Sequence, residues 1–308
     1  MTTSSPAEWT GLIGLGAVGS VMALNLAENG FSLLIADSRP RTEFESLLRR
    51  GGGRIEWASA TDVCRRCTTV LTSLPSVAAI AAVAEQHILP NLRGTWIDLS
   101  TTDEAEVKRL GPLAKAQGID LLEAPLTGGV HLVASGDMTV LVGGNDAVLK
   151  RQSALLNTIG GKVIHCGPWG SASVVKVLSN MLAALHLVGV GEAFMLGKKS
   201  GIELPALFDA LKASAGNSYV LETEGPFIMN GTVGRAGTQI DSPKEHPGHL
   251  GVGWASRSIR IRIRTEDSAQ PPCDLIMYGV YVRPSHWIRS GRSAQHLASA
   301  RLSAPSVG

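Results

Sequence analysis

A chain of 308 residues that is 44% hydrophobic and 18% charged can bury enough apolar surface for about two ordinary domains. Its net charge of +2 provides no bulk field to draw nucleic acid or an anionic membrane, its four cysteines are too few for a disulfide framework, and Met1 to Glu8 lacks the basic and apolar runs of a secretory leader. No stretch approaches ~20 uninterrupted apolar residues, so the expectation is a soluble, cytoplasmic enzyme with no nucleic-acid or membrane partner.

The first apolar run, Thr10 to Ile13, closes on Gly14-Leu15-Gly16-Ala17-Val18-Gly19. Val21, Met22, Leu24 and Leu26 then follow at helical spacing up to Asn29-Gly30. This is strand, glycine turn, helix and helix stop. Gly14 permits the tight turn, Gly16 lets the backbone approach a pyrophosphate, and Gly19 lets the helix pack against the strand. The helix N-terminus supplies unpaired N–H groups and a positive dipole end. Gly14, Leu15, Gly16, Ala17, Val18 and Gly19 are therefore the expected cofactor contacts.

A second run, Phe31 to Ala36, ends in Asp37, where an acid binds a ribose 2′-hydroxyl and repels a 2′-phosphate. NAD is the expected cofactor, with NADP kept open by Arg39 and Arg41. The competing reading of Asp37 is a strand-end turn residue. Cys64 and Cys67 form a C-x-x-C without a second ligand pair, which reads as idle or buried thiols, and no metal is expected.

Strand-like and helical stretches go on alternating: Thr69 to Leu74 and Val77 to Gln86, Thr95 to Leu99 and Glu104 to Gln117, then Asp120 to Glu123. That pattern predicts a parallel sheet covered on both faces. Ligands of such sheets sit beyond the carboxyl ends of the strands, which adds Leu74, Pro75 and Thr101 to the candidate cofactor contacts.

In Glu123-Ala124-Pro125-Leu126-Thr127-Gly128-Gly129, a rigid strand exit leads to a hydroxyl and two bare backbone residues. A carboxylate-binding turn fits that chemistry, and a plain β-turn is the alternative. Ser171 to Lys199 reads as one long helix with apolar faces. Lys176 and Asn180, four apart, project from one side of it. Apolar neighbours would lower the lysine pKa toward a usable acid/base, against the alternative of a solvated cation.

The glycine turn, Leu74-Pro75, the Glu123 to Gly129 stretch and the segment Gly167 to Asn180 stand in the order and at the distances of the 3-hydroxyisobutyrate dehydrogenase-like family of β-hydroxyacid dehydrogenases, which the chain resembles over about three quarters of its length. The resemblance implies an α/β fold: an N-terminal Rossmann domain (residues 8–168), then a long interdomain helix opening a helical domain (169–230). It implies an NAD(P)-dependent oxidoreductase that transfers a hydride between NAD and a small β-hydroxy acid or its semialdehyde. Lys176 would be the catalytic lysine, Asn180 its substrate-orienting partner, and Thr127, Gly128 and Gly129 the substrate-carboxylate contacts. Departures are Thr127 where many members have Ser, Ser179-Asn180 for a paired Asn, and His131-Leu132 for small residues. Imine reduction on a similar scaffold is disfavoured by Lys176 and the Pro125 to Gly129 turn.

After Gly231 the resemblance thins. This stretch carries a net +5 against −3 for the residues before it. Lys244-Glu245 is the nearest match to the family's Lys-Asp pair beside the nicotinamide, so Lys244 is carried over as a cofactor contact despite Pro243. Ser258 to Thr265 alternates as a strand does, and Asp274 to Arg283 is also strand-like, where the family has helices. Two readings account for the divergent tail, residues 231–308: a shifted reading frame in the coding DNA, or a domain of its own. The first leaves part of the active-site roof and the subunit interface incomplete, with a catalytically inactive dinucleotide-binding protein or truncated family relic as the alternative function. A homodimer or higher oligomer is expected if the C-terminal region folds.

Overall fold

The computed structural model describes residues 9–129, 131–230, 259–263 and 273–277. Its first half alternates strands and helices: β1 (Trp9–Ile13), α1 (Ala17–Glu28), β2 (Ser32–Ala36), α2 (Glu45–Arg50), β3 (Ile55–Trp57), α3 (Ala60–Arg66), β4 (Thr69–Thr72), α4 (Val77–Val83), α5 (Leu89–Asn91), β5 (Thr95–Asp98), α6 (Glu104–Ala116) and β6 (Asp120–Glu123). The six strands pair in parallel in the order β3-β2-β1-β4-β5-β6. The order reverses at the crevice between β1 and β4, where doubly wound sheets take their ligands.

The strand sequences explain this layering. Leu33, Leu34 and Ile35 are all fully buried, so β2 is covered on both faces, as a continuous apolar run requires. Because successive side chains alternate, Leu33 and Ile35 join a core with Leu12, Met22 and Leu26. Leu34 joins the opposite core with Val70, Ile80 and Trp96.

The sheet continues through β7 (Leu126–Thr127), α7 (His131–Ser135), β8 (Thr139–Gly144), α8 (Asp146–Arg151), α9 (Ser153–Ile159) and β9 (Lys162–Gly167). β8 runs antiparallel to β6 and β7 and parallel to β9. A single helix was expected over residues 77–86; the structure has α4, a π turn at Ala84–Ile88, and α5 with a proline in its first turn.

α10 (Ser171–Lys199) has the bounds its periodicity predicts. It packs at its start on β8 and β9, and further along on α11 (Leu204–Lys212) and α12 (Tyr219–Met229). Leu187, Val190, Phe194, Val220 and Leu221 are buried there. By length and composition α10 could cross a membrane, with a mean hydropathy of 1.6 in its most apolar window, of which 22% is buried. Its contacts at both ends instead make it a strut between the sheet and the helices that follow. The alternation after Ser258 does form a strand: β10 (Ile259–Ile263) pairs antiparallel with β11 (Cys273–Met277), Ile261 opposite Leu275.

Candidate active site

The loop between β1 and α1 is shaped by its glycines. Gly14 has φ +98°, and a Cβ there would stand 2.3 Å from the Ser73 carbonyl oxygen. One on Gly19 would stand 2.0 Å from the Gly14 carbonyl oxygen. A Cβ on Gly16, in contrast, meets nothing within 4 Å, so the closest approach there is open to a ligand. Gly16 caps α1 without any side-chain bond, and no acid stands in the first turn. Gly16 and Ala17 are exposed, Val18 is half-buried, and Leu15 is buried beneath them. A helix N-terminus left uncapped in this way fits the pyrophosphate of a dinucleotide.

Asp37, at the end of β2, ties this loop to its neighbour. Its Oδ2 accepts the Leu15 backbone N–H at 2.7 Å, and its Oδ1 accepts the backbone and Nε protons of Arg39, both at 3.0 Å. Partial burial pushes the Asp37 carboxyl up, but the bonds from Arg39 and Leu15 and the Arg39 charge outweigh it and hold the group below the usual carboxylate range. Arg39 also donates to the Leu15 carbonyl at 2.9 Å and lies over the Phe44 ring, 4.7 Å from its centroid. The cation that would receive a 2′-phosphate is thus already held by the acid that would receive a 2′-hydroxyl.

The loops after β4 and β5 are stitched together by a buried chain of bonds. The Trp96 indole donates to the Thr72 hydroxyl at 2.9 Å, and that hydroxyl donates to Asp98 at 2.7 Å. The Ser100 N–H also donates to Asp98, and the Leu74 N–H donates to the Ser100 hydroxyl. Burial pushes the Asp98 pKa up, and the Glu123 charge adds to the rise. Leu74 (half-buried), Pro75 and Thr101 (both exposed) are carried side by side at the strand ends.

Beyond β6, Leu126 and Thr127 pair with Val140 and Thr139 of β8, which leaves Thr127 half-buried at the turn. Gly128 follows with φ +130° and is exposed, a conformation that side-chain-bearing residues rarely adopt. Thr127, Gly128 and Gly129 therefore offer a hydroxyl and bare backbone to solvent.

Lys176 is half-buried on the second turn of α10, and burial pulls its ammonium down from 10.5 to about 8. No charged partner among the described residues contributes to that shift. Asn180, also half-buried, stands one helical turn further on, and the Ser179 hydroxyl between them donates to the Lys176 carbonyl at 2.9 Å. α10 packs on β8, the strand that pairs with Thr127. Lys244 lies outside the described residues.

Three features escaped the sequence reading: the clasp of Arg39 on Asp37, the Thr72–Asp98–Ser100 chain, and Glu123, whose buried carboxylate binds the start of α10. The signal for the last was a carboxylate ending an apolar strand just before Ala124-Pro125. Cys64 and Cys67 are buried, and desolvation pushes their thiols up to about 12 and about 11, far from the ionised form that thiol chemistry needs.

Residues 10–167 match the model of the NAD binding domain of 6-phosphogluconate dehydrogenase. Residues 170–241 match that of the NAD-binding of NADP-dependent 3-hydroxyisobutyrate dehydrogenase. The mitochondrial 3-hydroxyisobutyrate dehydrogenase of Homo sapiens is 30% identical over 270 residues, 85% of this chain and 76% of that protein. The probable 3-hydroxyisobutyrate dehydrogenase of Mycobacterium tuberculosis is 29% identical over 215 residues, 70% of this chain and 72% of that protein. A solved structure of the Mycobacterium tuberculosis enzyme with L-serine superposes with a TM-score of 0.65 at 29% identity, covering 71% of this chain and 75% of that one. The Salmonella typhimurium 3-hydroxyisobutyrate dehydrogenase gives 0.64 at 26%, covering 73% and 79%. An imine reductase from Myxococcus stipitatus, at 20% identity and a TM-score of 0.59 over 74% of each chain, shares the fold. With the glycine loop, the sheet order and the long helix all in place, this chain belongs to the 3-hydroxyisobutyrate dehydrogenase-like family of NAD(P)-dependent oxidoreductases.

Proposed function

We propose that the chain transfers a hydride between NAD and a small β-hydroxy acid or its semialdehyde, with Lys176 as the proton-transfer group. The observation that carries this reading is the lysine itself: half-buried, unpaired by any described carboxylate, and brought by burial alone to about 8. At neutral pH such a group holds about one unprotonated form in ten, enough to take a hydroxyl proton and, in reverse, a ready donor to a carbonyl oxygen. When bound, the nicotinamide dinucleotide supplies the hydride acceptor.

The other residues position and orient. The uncapped start of α1, with Gly14, Leu15, Gly16, Ala17, Val18 and Gly19, receives the pyrophosphate, and Asp37 receives the ribose hydroxyls. Leu74, Pro75 and Thr101 flank the cofactor at the strand ends, and Lys244, which the family resemblance brings in, is the remaining cofactor contact of this reading. Thr127, Gly128 and Gly129 hold the substrate carboxylate while Asn180 orients the carbinol, which aligns hydride donor and acceptor. NADP is the second cofactor of this reading, taken if Arg39 turns from Asp37 to a 2′-phosphate. The reading also places the enzyme in the cytoplasm, without a nucleic-acid or membrane partner, as a homodimer or higher oligomer. Its domains are residues 8–168 and 169–230, with 231–308 set apart.

The test is formation of reduced nicotinamide by the full chain with NAD or NADP and a panel of small β-hydroxy acids, beside Lys176→Ala. Turnover that the variant loses while still binding NAD supports the assignment. A wild-type chain that binds NAD and turns over no member of the panel removes it.

A further inference from the structure

Glu123 is the last residue of β6 and is 1% exposed, yet no cation pairs with it among the described residues. Its carboxylate is instead clasped by the first turn of α10. Oε1 accepts the N–H groups of Gly170 (2.5 Å) and Ala172 (3.1 Å), and Oε2 accepts the N–H (3.1 Å) and the hydroxyl (2.5 Å) of Ser173. Gly170, the residue that caps α10, has no side chain to do this work and sits at φ +95°. Space for the carboxylate is reserved from the other side too: a Cβ on Gly143, the cross-strand partner of Glu123, would fall 2.1 Å from Oε1. The turn into the helix is fixed again by Trp169, whose indole donates to the Leu121 carbonyl at 2.9 Å and whose ring lies where a Cβ on Gly111 would be.

We propose that Glu123 is a positioning residue for proton transfer, holding the first turn of α10 on the sheet so that Lys176 stands at a fixed place relative to the Thr127–Gly129 turn. This rests on the assignment of Lys176 as the proton-transfer group. Ser173 and Lys176 are three residues apart, a rise of about 4.5 Å along the helix, so any slip at Ser173 passes to the lysine almost undiminished. In the other direction Glu123 reaches Thr127 through only Ala124, Pro125 and Leu126, and Pro125 stiffens that path. One side chain thus joins the element that carries the proton donor to the element that would carry the substrate carboxylate. It also fills the anion-binding end of α10, which leaves the substrate carboxylate no rival seat there.

The decisive variant is Glu123→Gln in the full chain, because a carboxamide has one acceptor oxygen and must turn its NH2 toward either Gly170 and Ala172 or Ser173. NAD affinity, followed by fluorescence titration, stays at the wild-type value. kcat falls by about 10- to 100-fold, the scale of a misplacement near 1 Å, and KM for the hydroxy acid moves less. Glu123→Asp, which keeps both acceptor oxygens, recovers part of the loss. Independently of turnover, the pH dependence of Lys176 acetylation, read by peptide mass spectrometry, moves its midpoint upward from about 8 as the lysine gains water. No charge contributes to the Lys176 shift, so loss of the carboxylate charge alone would leave the midpoint in place, or lower it if felt at all, and an upward move reports position. If Glu123→Gln does not fold, Ser173→Ala, which removes only the hydroxyl bond, decides with the same readings at smaller amplitude. Unchanged kcat and an unchanged acetylation midpoint overturn the proposal while leaving the Lys176 assignment intact. Full turnover in Lys176→Ala overturns that assignment and this proposal with it.

Discussion

The sheet region and the α10 region satisfy opposite requirements. In the sheet, the buried carboxylates at the strand ends are partnered: Asp98 accepts from Thr72, and Glu123 has four donors. Along α10 the apolar side chains Leu178, Leu182, Leu185 and Leu196 lie 49%, 49%, 60% and 65% exposed. The sheet encloses its own core within the described residues, whereas α10 carries an apolar face that the described residues leave uncovered. The cofactor loop therefore depends on residues 9–129, and the proton-transfer group depends on how a partly bare helix is held. Each experiment below strains one side of that contrast.

The largest effect is expected on the α10 side. Lys176→Ala removes the proton-transfer group, and kcat should fall by about 10²- to 10⁴-fold in a steady-state assay while NAD affinity holds. In the wild type, the oxidative direction needs the neutral amine, so its rate should rise with pH to a plateau above about 8, and the reductive rate should fall over the same range. The sign for stability is opposite to that of a salt-bridged lysine. A folded pKa below the usual 10.5 means the native state binds fewer protons between about 8 and 10.5, so burial of the charge costs stability below 8 and the cost fades as pH rises. Lys176→Met should then melt at a higher temperature than the wild type at neutral pH, with the gap closing above pH 10.

On the sheet side, Gly19→Ala places a methyl 2.0 Å from the Gly14 carbonyl oxygen, where backbone cannot yield cheaply. A loss of roughly 1–3 kcal/mol in urea unfolding should accompany weaker NAD binding. Gly16→Ala, whose Cβ meets nothing, should leave stability alone and affect only binding. Identical behaviour of the two variants would show that the open space at Gly16 is not where the cofactor lies.

Asp37→Ala removes the two side-chain bonds that hold Arg39 on the carboxylate and leaves it the weaker hold of the Leu15 carbonyl, Glu43 and Phe44. The ratio of kcat/KM for NAD to that for NADP should then drop by about tenfold, near 1.4 kcal/mol, as the released guanidinium turns to a 2′-phosphate. Arg39→Ala in the same background should reverse the gain for NADP.

How much of this was legible in the sequence follows the same division. The glycine loop, the parallel strands and the limits of α10 are written in local periodicity and turn chemistry, because each is decided by neighbours within a few residues. β7 and β8 were not read from the sequence: β7 is two residues long inside a stretch that reads as a turn, and β8 is set by its pairing with β6, β7 and β9. The partners of Glu123 and Asp98 are about fifty and twenty-six residues away in the chain, and only the folded sheet brings them together. Lys176 was legible as a candidate because apolar neighbours surround it, while its depth depends on β8 and β9. The alternation after Ser258 did announce β10, in a stretch where the family pattern had already lapsed.

The smallest effect probes the uncovered face of α10, and its sign is informative. Leu185 is 60% exposed among the described residues. If water is its true neighbour, Leu185→Ala at a mid-helix position should be neutral or slightly stabilising, since alanine is the better helix former. If the face is covered, in a homodimer as proposed or by the remainder of the chain, the same truncation should cost about 1 kcal/mol or more, because buried methylenes are lost. We expect the loss. An exposed apolar strip that runs from Val174 through Leu178, Leu182 and Leu185 to Val188, about four turns, before Glu192 interrupts it, is more than a surface facing water ordinarily shows. Thermal melts of Leu185→Ala and Leu182→Ala at two protein concentrations measure both parts. Destabilisation that deepens on dilution identifies a second copy as the cover, and destabilisation independent of concentration identifies the chain's own residues. A rise in melting temperature for both variants would mean that α10 stands bare in solution, and that the sheet alone, through Glu123, holds its lysine in place.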